Sequence, residues 1–291
     1  MAKFFIVVPT FNSADFLERC LTSLIVMQPG EFNVRVHVQD GGSTDATLDI
    51  AERWKHRGVT FACEPDKGMY DALSKASHRL DDGDIMTWLG TDDYLMPGAI
   101  GTAAHVFDNL PHVNWITGRP FMGREAGENL CLWPDMFFTQ RALSAGRHDG
   151  RSNYFVQQEG TFWRASLWNK VGGVDTAFKL AGDWDLWRRF AQHSRMYLIK
   201  APLARFTRRE GQKSQDMGAY YAEVDSAVPT EAVGDEIEYR LTRFNLEVPW
   251  TEETIDHAPP PRQKVAEPAP EHNRRRSRLP WLGWRRSEVA G

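Results

Sequence analysis

No apolar run in this 291-residue chain approaches the ~20 residues needed to span a bilayer. Lys3 precedes the apolar stretch Phe4-Phe5-Ile6-Val7-Val8, but that stretch stops at Pro9, too soon for the core of a secretory signal, and reads as a buried first strand. Cysteine is scarce. Cys20, Cys63 and Cys131 are widely spaced, form no CxxC pair and cannot all pair with one another, which points to reduced thiols in a cytoplasmic protein rather than a disulfide framework. Charge of one sign is missing as well: the formal net charge of −4 gives no bias toward nucleic acid. No internal repeat is present, and 42% hydrophobic with 25% charged residues is ordinary globular composition.

What is present is an alternation of two periods. Phe4–Val8 is rich in aromatic and β-branched residues and ends at Pro9, as a buried parallel strand does. Asn12 or Ser13 can cap a helix whose Phe16, Leu17, Cys20, Leu21 and Leu24 follow the 3.6-residue period. Val34–Gln39 predicts a second strand, Ala46–Trp54 a helix, Val59–Cys63 a third strand, Met69–His78 a helix and Ile85–Leu89 a fourth strand. Pro97-Gly98 opens a further helix through Phe107. This rhythm predicts an α/β fold with a parallel, doubly wound sheet. Beyond residue 110 the pattern turns irregular. Trp115–Gly118 reads as strand, residues 124–151 as loop-rich, Val156–Arg164 as extended, Ala165–Val171 and Asp183–His193 as helices, and Met196–Ala201 as strand.

The strand ends carry acids. Ligands in open α/β sheets bind outside the carboxyl ends of the strands, and there the chain supplies Asp40, Asp66 and the pair Asp92-Asp93. Such a cluster repels itself unless a cation or donor hydrogen bonds offset it, and adjacent carboxylates suit Mg²⁺ or Mn²⁺ held together with substrate phosphates. Phe11 after strand one can stack on a nucleobase or fill the core. The glycines of Asp40-Gly41-Gly42-Ser43 permit close backbone approach, although the same residues make a good turn. Asp183 before Trp184-Asp185-Leu186-Trp187 is either a general base or a helix N-terminal acid. Trp184 and Trp187 suit either the core or a sugar face.

Seven segments in order resemble family 2 glycosyltransferases of bacterial polysaccharide type: Val7-Val8-Pro9-Thr10-Phe11-Asn12, Gln39-Asp40-Gly41-Gly42-Ser43-Thr44-Asp45, Asp66-Lys67-Gly68-Met69-Tyr70-Asp71-Ala72, Gly90-Thr91-Asp92-Asp93, Gly160-Thr161-Phe162-Trp163-Arg164, Val171-Gly172-Gly173-Val174-Asp175 and Gly182-Asp183-Trp184-Asp185-Leu186-Trp187. The resemblance spans residues 3–210. It implies the GT-A nucleotide-diphospho-sugar transferase fold, with a Rossmann-like, mostly parallel central sheet flanked by helices. It further implies an inverting, metal-dependent transfer from a nucleotide-diphosphate sugar to a hydroxyl of a saccharide or lipid-linked acceptor, in surface polysaccharide or glycolipid assembly. By the same resemblance Pro9, Thr10, Phe11, Asp40, Asp66 and Asp92 bind the nucleotide sugar, Asp93 holds Mn²⁺ or Mg²⁺, and Asp183 is the catalytic base. Arg205, Arg208 and Arg209 are the candidates for diphosphate contact. One departure stands at Gln158-Glu159, where the family often carries His-Gln, and it bears on the acceptor contacts.

Two alternatives remain. A sugar nucleotidyltransferase usually has a Gly-rich loop with a cation after strand one, whereas Pro9-Thr10-Phe11-Asn12-Ser13 has neither. A non-catalytic nucleotide-sugar-binding protein would keep the cleft without turnover. The expected division is a catalytic domain over 1–215, a helical extension over 216–248 and a Pro-rich tail over 249–291. Residues 271–291 hold six Arg against two Glu, interleaved with Leu279, Trp281, Leu282 and Trp284. That pattern is either a solvated terminus or a peripheral contact with anionic lipid, which would set a cytoplasmic enzyme at the inner face of the membrane.

Overall fold

Phe4, Phe5, Ile6, Val7 and Val8 are all buried, so strand β1 (Lys3–Thr10) has protein on both faces. The computed structural model describes residues 1–125, 127–132, 138–151 and 154–228. Along β1 the side chains alternate between two cores. Phe4, Ile6 and Val8 pack with Leu17, Leu21 and Leu24 of α1 (Ala14–Ile25), Ile50 of α2 (Thr47–Trp54) and Ile100 of α4 (Ala99–Asn109). Phe5 and Val7 face Leu73 of α3 (Met69–Ser77), Leu167 of α6 (Ala165–Val171) and Leu186 of α7 (Gly182–Ala191). Each fully buried side chain of this size contributes ~1.5–3 kcal/mol of transfer free energy.

β1 is central in a seven-stranded sheet. Its other members are β2 (Asn33–Asp40), β3 (Val59–Cys63), β4 (Asp84–Trp88), β6 (Trp115–Gly118), β9 (Thr161–Arg164) and β10 (Met196–Ile199), in the order β10-β6-β9-β4-β1-β2-β3. β1 pairs parallel with β2 and β4, β2 with β3, and β6 with β10. β9 runs antiparallel to both β4 and β6. The sheet is thus mostly parallel, as expected, with β9 its antiparallel member. A second sheet, in the order β5-β11-β7-β8, joins β5 (Tyr94–Leu95), β7 (Phe121–Arg124), β8 (Asn129–Leu132) and β11 (Ala204–Arg208). α5 (Gln140–Ser144) lies in the stretch read as loop, and α8 (Met217–Ala227) follows β11.

One aromatic stack aligns the two halves of the chain. Trp88 ends β4 and stacks face to face on Trp187 of α7, with centroids 5.8 Å apart and planes 7° apart. Trp187 stacks in turn on Trp115 at 5.7 Å, and Trp163 meets Trp88 edge-on at 5.2 Å. Such pairs contribute ~0.5–1.5 kcal/mol beyond their area. Trp187 is therefore core and not a sugar platform. Trp184 is buried too, donating Nε1–H to the Gly146 carbonyl at 3.1 Å. Among the described residues no helix is long and apolar enough to cross a membrane. The tail from 249, and the part of the helical extension beyond residue 228, lie outside the described residues.

Candidate active site

At the end of β1 the chain must leave the sheet within a few residues, and it does so through Asn12, the sole non-glycine residue with positive φ among those described (45°). Asparagine tolerates that region because its side chain bonds locally. Here Asn12 N–H donates to Ser43 Oγ at 2.7 Å, and Asn12 Oδ1 accepts from Thr44 N–H at 2.8 Å. Ser13 N–H to Thr47 Oγ1 (2.7 Å) and Ala14 N–H to Asp45 Oδ2 (3.1 Å) complete the seam between the β1 and β2 loops. The turn leaves Phe11 62% exposed, an open aromatic face at the ligand edge. Pro9 and Thr10 close β1 just before it.

Asp40 lies beneath this turn, fully buried. Its carboxylate accepts from Thr10 Oγ1 (3.0 Å), Gly42 N–H (2.9 Å), Ser43 N–H (2.8 Å), Ser43 Oγ (2.5 Å) and Cys63 Sγ (3.2 Å). Burial works against its charge, but the bonds from Ser43, Cys63 and Gly42 outweigh it and hold the carboxyl below the usual range. Both oxygens are thereby committed to protein donors. Asp40 thereby shapes the loop that carries Gly41, Gly42 and Ser43. Asp66 is half-buried and reaches the same loop: a Cβ at Gly41 would sit 2.5 Å from Asp66 Oδ2, so a larger residue there would push the Asp66 carboxylate aside. Asp66 Oδ1 accepts from Gly68 N–H at 2.8 Å.

The Asp92-Asp93 turn is gripped from three sides. Arg19 donates to the Asp92 carbonyl at 2.7 Å. Arg209 Nε and Gln212 Nε2 donate to Asp92 Oδ2 at 2.8 and 2.9 Å. Thr207 N–H of β11 donates to Asp93 Oδ1 at 2.6 Å. The remaining oxygens, Asp92 Oδ1 and Asp93 Oδ2, converge over Gly90, where a Cβ would lie 3.2 and 3.1 Å from them. Asp93 is 4% exposed and its carboxyl is pushed well up, by burial first and then by the charges of Glu159 and Asp92. A divalent cation relieves that situation. Two hard carboxylate oxygens fit Mg²⁺ or Mn²⁺, which usually take one or two carboxylates plus substrate phosphates. Among the described residues no cluster of three or more His, Cys, Asp or Glu side chains is arranged to hold an ion, so phosphate oxygens would have to complete such a site.

Asp183 opens α7, four residues before Trp187, and the stacking of Trp187 on Trp88 carries it toward the strand that ends in the acid pair. Tyr70 Oη donates to Asp183 Oδ1 at 3.2 Å, and Trp184 N–H donates to the same oxygen at 2.8 Å. Burial nevertheless raises this carboxyl to about 6, with the Glu223 charge adding to the rise. Glu159, buried in the single turn Gln158–Gly160 ahead of β9, feels both ends of the cleft. Its carboxyl is raised by burial and then by the charges of Asp183 and Asp92. Asp92, Asp93, Glu159 and Asp183 therefore form one electrostatic unit.

Of the three arginines, Arg209 is at the site, bonded to Asp92. Arg205 is 1% exposed, donates Nη2–H to the carbonyls of Arg124 (3.0 Å) and Glu128 (2.8 Å), and lies over the Tyr94 ring at 5.2 Å. It ties the small sheet together. Arg208 is exposed at the end of β11. Sequence reasoning passed over Glu159 as a member of the acid cluster, as well as Tyr70, Gln212 and Glu223. Only Glu159 left a local signal, as an acid where the pattern offers glutamine.

A sequence model described as "Glycosyltransferase like family 2" matches residues 2–220. The "PGL/p-HBAD biosynthesis glycosyltransferase" of Mycobacterium bovis (strain BCG / Pasteur 1173P2) is 27% identical over 188 residues, 62% of this chain and 67% of that protein. An uncharacterized glycosyltransferase of Rickettsia prowazekii (strain Madrid E) is 22% identical over 194 residues, 66% of this chain and 59% of that one. In structure, S. aureus TarS 1-349 in complex with UDP-GlcNAc superposes with a TM-score of 0.58 at 20% identity, over 74% of this chain and 61% of its own. The mannosyltransferase PcManGT from Pyrobaculum calidifontis, in complex with GDP-Man and Mn²⁺, gives 0.56 at 17% identity, over 77% and 64%. The chain thus spans about three fifths of the TarS chain, and the likeness establishes the GT-A fold.

Proposed function

Since the chain belongs to the family described as glycosyltransferase like family 2, we propose that it transfers a sugar, with inversion, from a nucleotide-diphosphate donor to a hydroxyl of a saccharide or glycolipid acceptor. The observation that carries this reading is the electrostatic unit of Asp92, Asp93, Glu159 and Asp183, with a carboxyl raised to about 6 at one end and two unengaged carboxylate oxygens at the other. UDP-GlcNAc and GDP-Man, bound by TarS and PcManGT, indicate the donor class.

In the reaction, the acceptor oxygen attacks the anomeric carbon while its proton passes to Asp183. The bond from that carbon to the diphosphate oxygen breaks, and the nucleoside diphosphate leaves with the bonding pair. A hydroxyl is a poor nucleophile near neutral pH, so a positioned carboxylate contributes ~10²–10⁴-fold. The hydrogen bond from Tyr70 holds Asp183 in place. Phe11 offers its face to the base, and Asp66 and Arg209 flank the donor. Asp92 Oδ1 and Asp93 Oδ2 would hold Mn²⁺ or Mg²⁺, which when bound supplies Lewis-acid neutralisation of the charge growing on the leaving diphosphate.

Asp183→Asn tests the base. Turnover should fall ~10²–10⁴-fold while calorimetric affinity for the donor nucleotide is kept. Wild-type kcat should also decline as pH drops through about 6, because Asp183 must be unprotonated to accept. Transfer at near wild-type rate in the Asn variant would refute the assignment.

A further inference from the structure

One lysine-lined cavity lies beside the cleft, and no step above uses it. It measures about 100 Å³ and is bounded by Lys67 and Gly68 before α3, by Met69, Tyr70 and Asp71 in its first turn, by Phe178, Lys179 and Leu180 before α7, and by Lys213. Resting on the glycosyltransferase reading, we propose that this cavity is a subsite for an anionic group on the acceptor, a phosphoryl group by charge.

Position is the first support. Tyr70, which lines the cavity, bonds with its Oη to Asp183 Oδ1 at 3.2 Å and to the Leu180 carbonyl at 3.1 Å, so cavity and base share one wall. Lys213 directly follows Gln212, whose Nε2 donates to Asp92 at 2.9 Å, so the opposite wall belongs to the loop that holds the acid pair. A group seated here is separated from Asp183 by Tyr70 alone.

Charge is the second support. Three ammonium groups border one small space, opposed by a single carboxylate. One oxygen of that carboxylate, Asp71 Oδ2, meets Lys75 Nζ (3.3 Å) and accepts from the N–H of Lys67 (3.0 Å). Lys179 Nζ donates to the Lys67 carbonyl at 3.2 Å. Among the described residues neither Lys67 nor Lys213 makes an ion pair through its side chain. The start of the nine-residue α3, with Gly68 at φ 124° as its cap, adds the positive end of a helix dipole on the same side. Like charges gathered side by side repel, and an anion between them offsets that repulsion.

The test uses the full chain with its donor site filled by UDP or GDP, whichever raises the melting temperature more, and Mn²⁺. Inorganic phosphate is titrated by calorimetry into wild type and into the Lys67→Ala/Lys179→Ala/Lys213→Ala variant. Saturable one-to-one binding in wild type that weakens at least tenfold in the variant is expected, with donor hydrolysis unchanged because these exposed lysines are no part of the transfer machinery. No saturable binding, binding lost once nucleotide is present, or equal binding by the variant would overturn the proposal. Co-sedimentation with phosphatidylglycerol vesicles then identifies the source. Weaker pelleting of the variant assigns a lipid phosphate, and equal pelleting alongside intact phosphate binding by wild type assigns a phosphorylated soluble acceptor. Because phosphate binding needs no turnover, this result stands or falls separately from the glycosyltransferase reading.

Discussion

Asp93, Glu159 and Asp183 are each carboxyl groups withdrawn from water and placed near other acids, and each is raised as a result. The folded chain therefore binds these protons more tightly than the unfolded chain does. Stability from this cluster is full below the unfolded carboxylate range, near 4, and is lost as pH rises through the raised values. His37 and His148 act the other way in an overlapping window, since burial lowers both, His148 to about 4. Their contribution is lost as pH falls below the ordinary histidine value. The total slope mixes these terms, but a difference between two variants isolates one of them. Glu159→Gln keeps the shape of Glu159 and removes its charge. It should melt with wild type at pH 5, where Glu159 is protonated, and progressively above wild type toward pH 7.5, in EDTA by differential scanning fluorimetry. A constant difference across that range would mean that Glu159 does not carry the repulsion assigned to it.

At the scale of elements, α8 does more than extend the domain. Glu223 accepts three consecutive backbone N–H groups, from Lys179 at 2.8 Å and from Leu180 and Ala181 at 2.9 Å, immediately ahead of Asp183. Tyr220 and Val224 pack on Ala181 and Trp184, and Arg151 ties Asp225 of the helix to Asp149. The segment entering α7 is thereby clamped between Glu223 and Tyr70, and Asp183 inherits its position from both. Glu223→Ala leaves those N–H groups without their charged acceptor, at ~1–3 kcal/mol. Misplacement of a catalytic group by about 1 Å costs ~10²-fold, so kcat should drop by about 10- to 100-fold with donor KM little changed. An unaltered kcat would remove the clamp from the mechanism. The same elements mark what local pattern can reveal. β1, α1 and β3 are legible because the apolar residues of α1 and β3 follow one period, and those of β1 form an unbroken run buried between two cores. β11 is not: Ala204-Arg205-Phe206-Thr207-Arg208 reads as a polar connector, and Arg205 is buried only because the carbonyls of Arg124 and Glu128 and the ring of Tyr94 receive it. Asp40 was legible as a special residue, but its enclosure was not, since the five donors around it come from β1, its own loop and β3.

For the whole molecule, the mixed sheet divides the labour between halves. β1 to β3 and their loops carry Phe11, Asp40 and Asp66, whereas β9, α7 and β11 carry Glu159, Asp183 and the arms that hold the acid pair. The antiparallel β9, lying between β4 and β6, sets the Gln158–Gly160 turn beside the end of β4. Gln158 Nε2 accordingly donates to the Trp88 carbonyl at 2.6 Å. No single-element pattern encodes that placement, because it depends on strand direction. A donor bridging the halves should stabilise the fold as one unit. At 100-fold over Kd such linkage gives ~2.7 kcal/mol, and ~2–4 °C per kcal/mol for a chain of this size makes a rise of about 5–10 °C. If Asp92 and Asp93 hold the cation, the rise with UDP or GDP and Mn²⁺ should shrink in EDTA and in Asp93→Asn. Asp183→Asn should retain it in full, since that residue meets the acceptor and not the diphosphate. Equal shifts with and without metal in wild type would detach the acid pair from any cation. A shift lost in Asp183→Asn would instead mean that the base and the donor share one set of contacts, and the division between the two walls of the cleft would have to be abandoned.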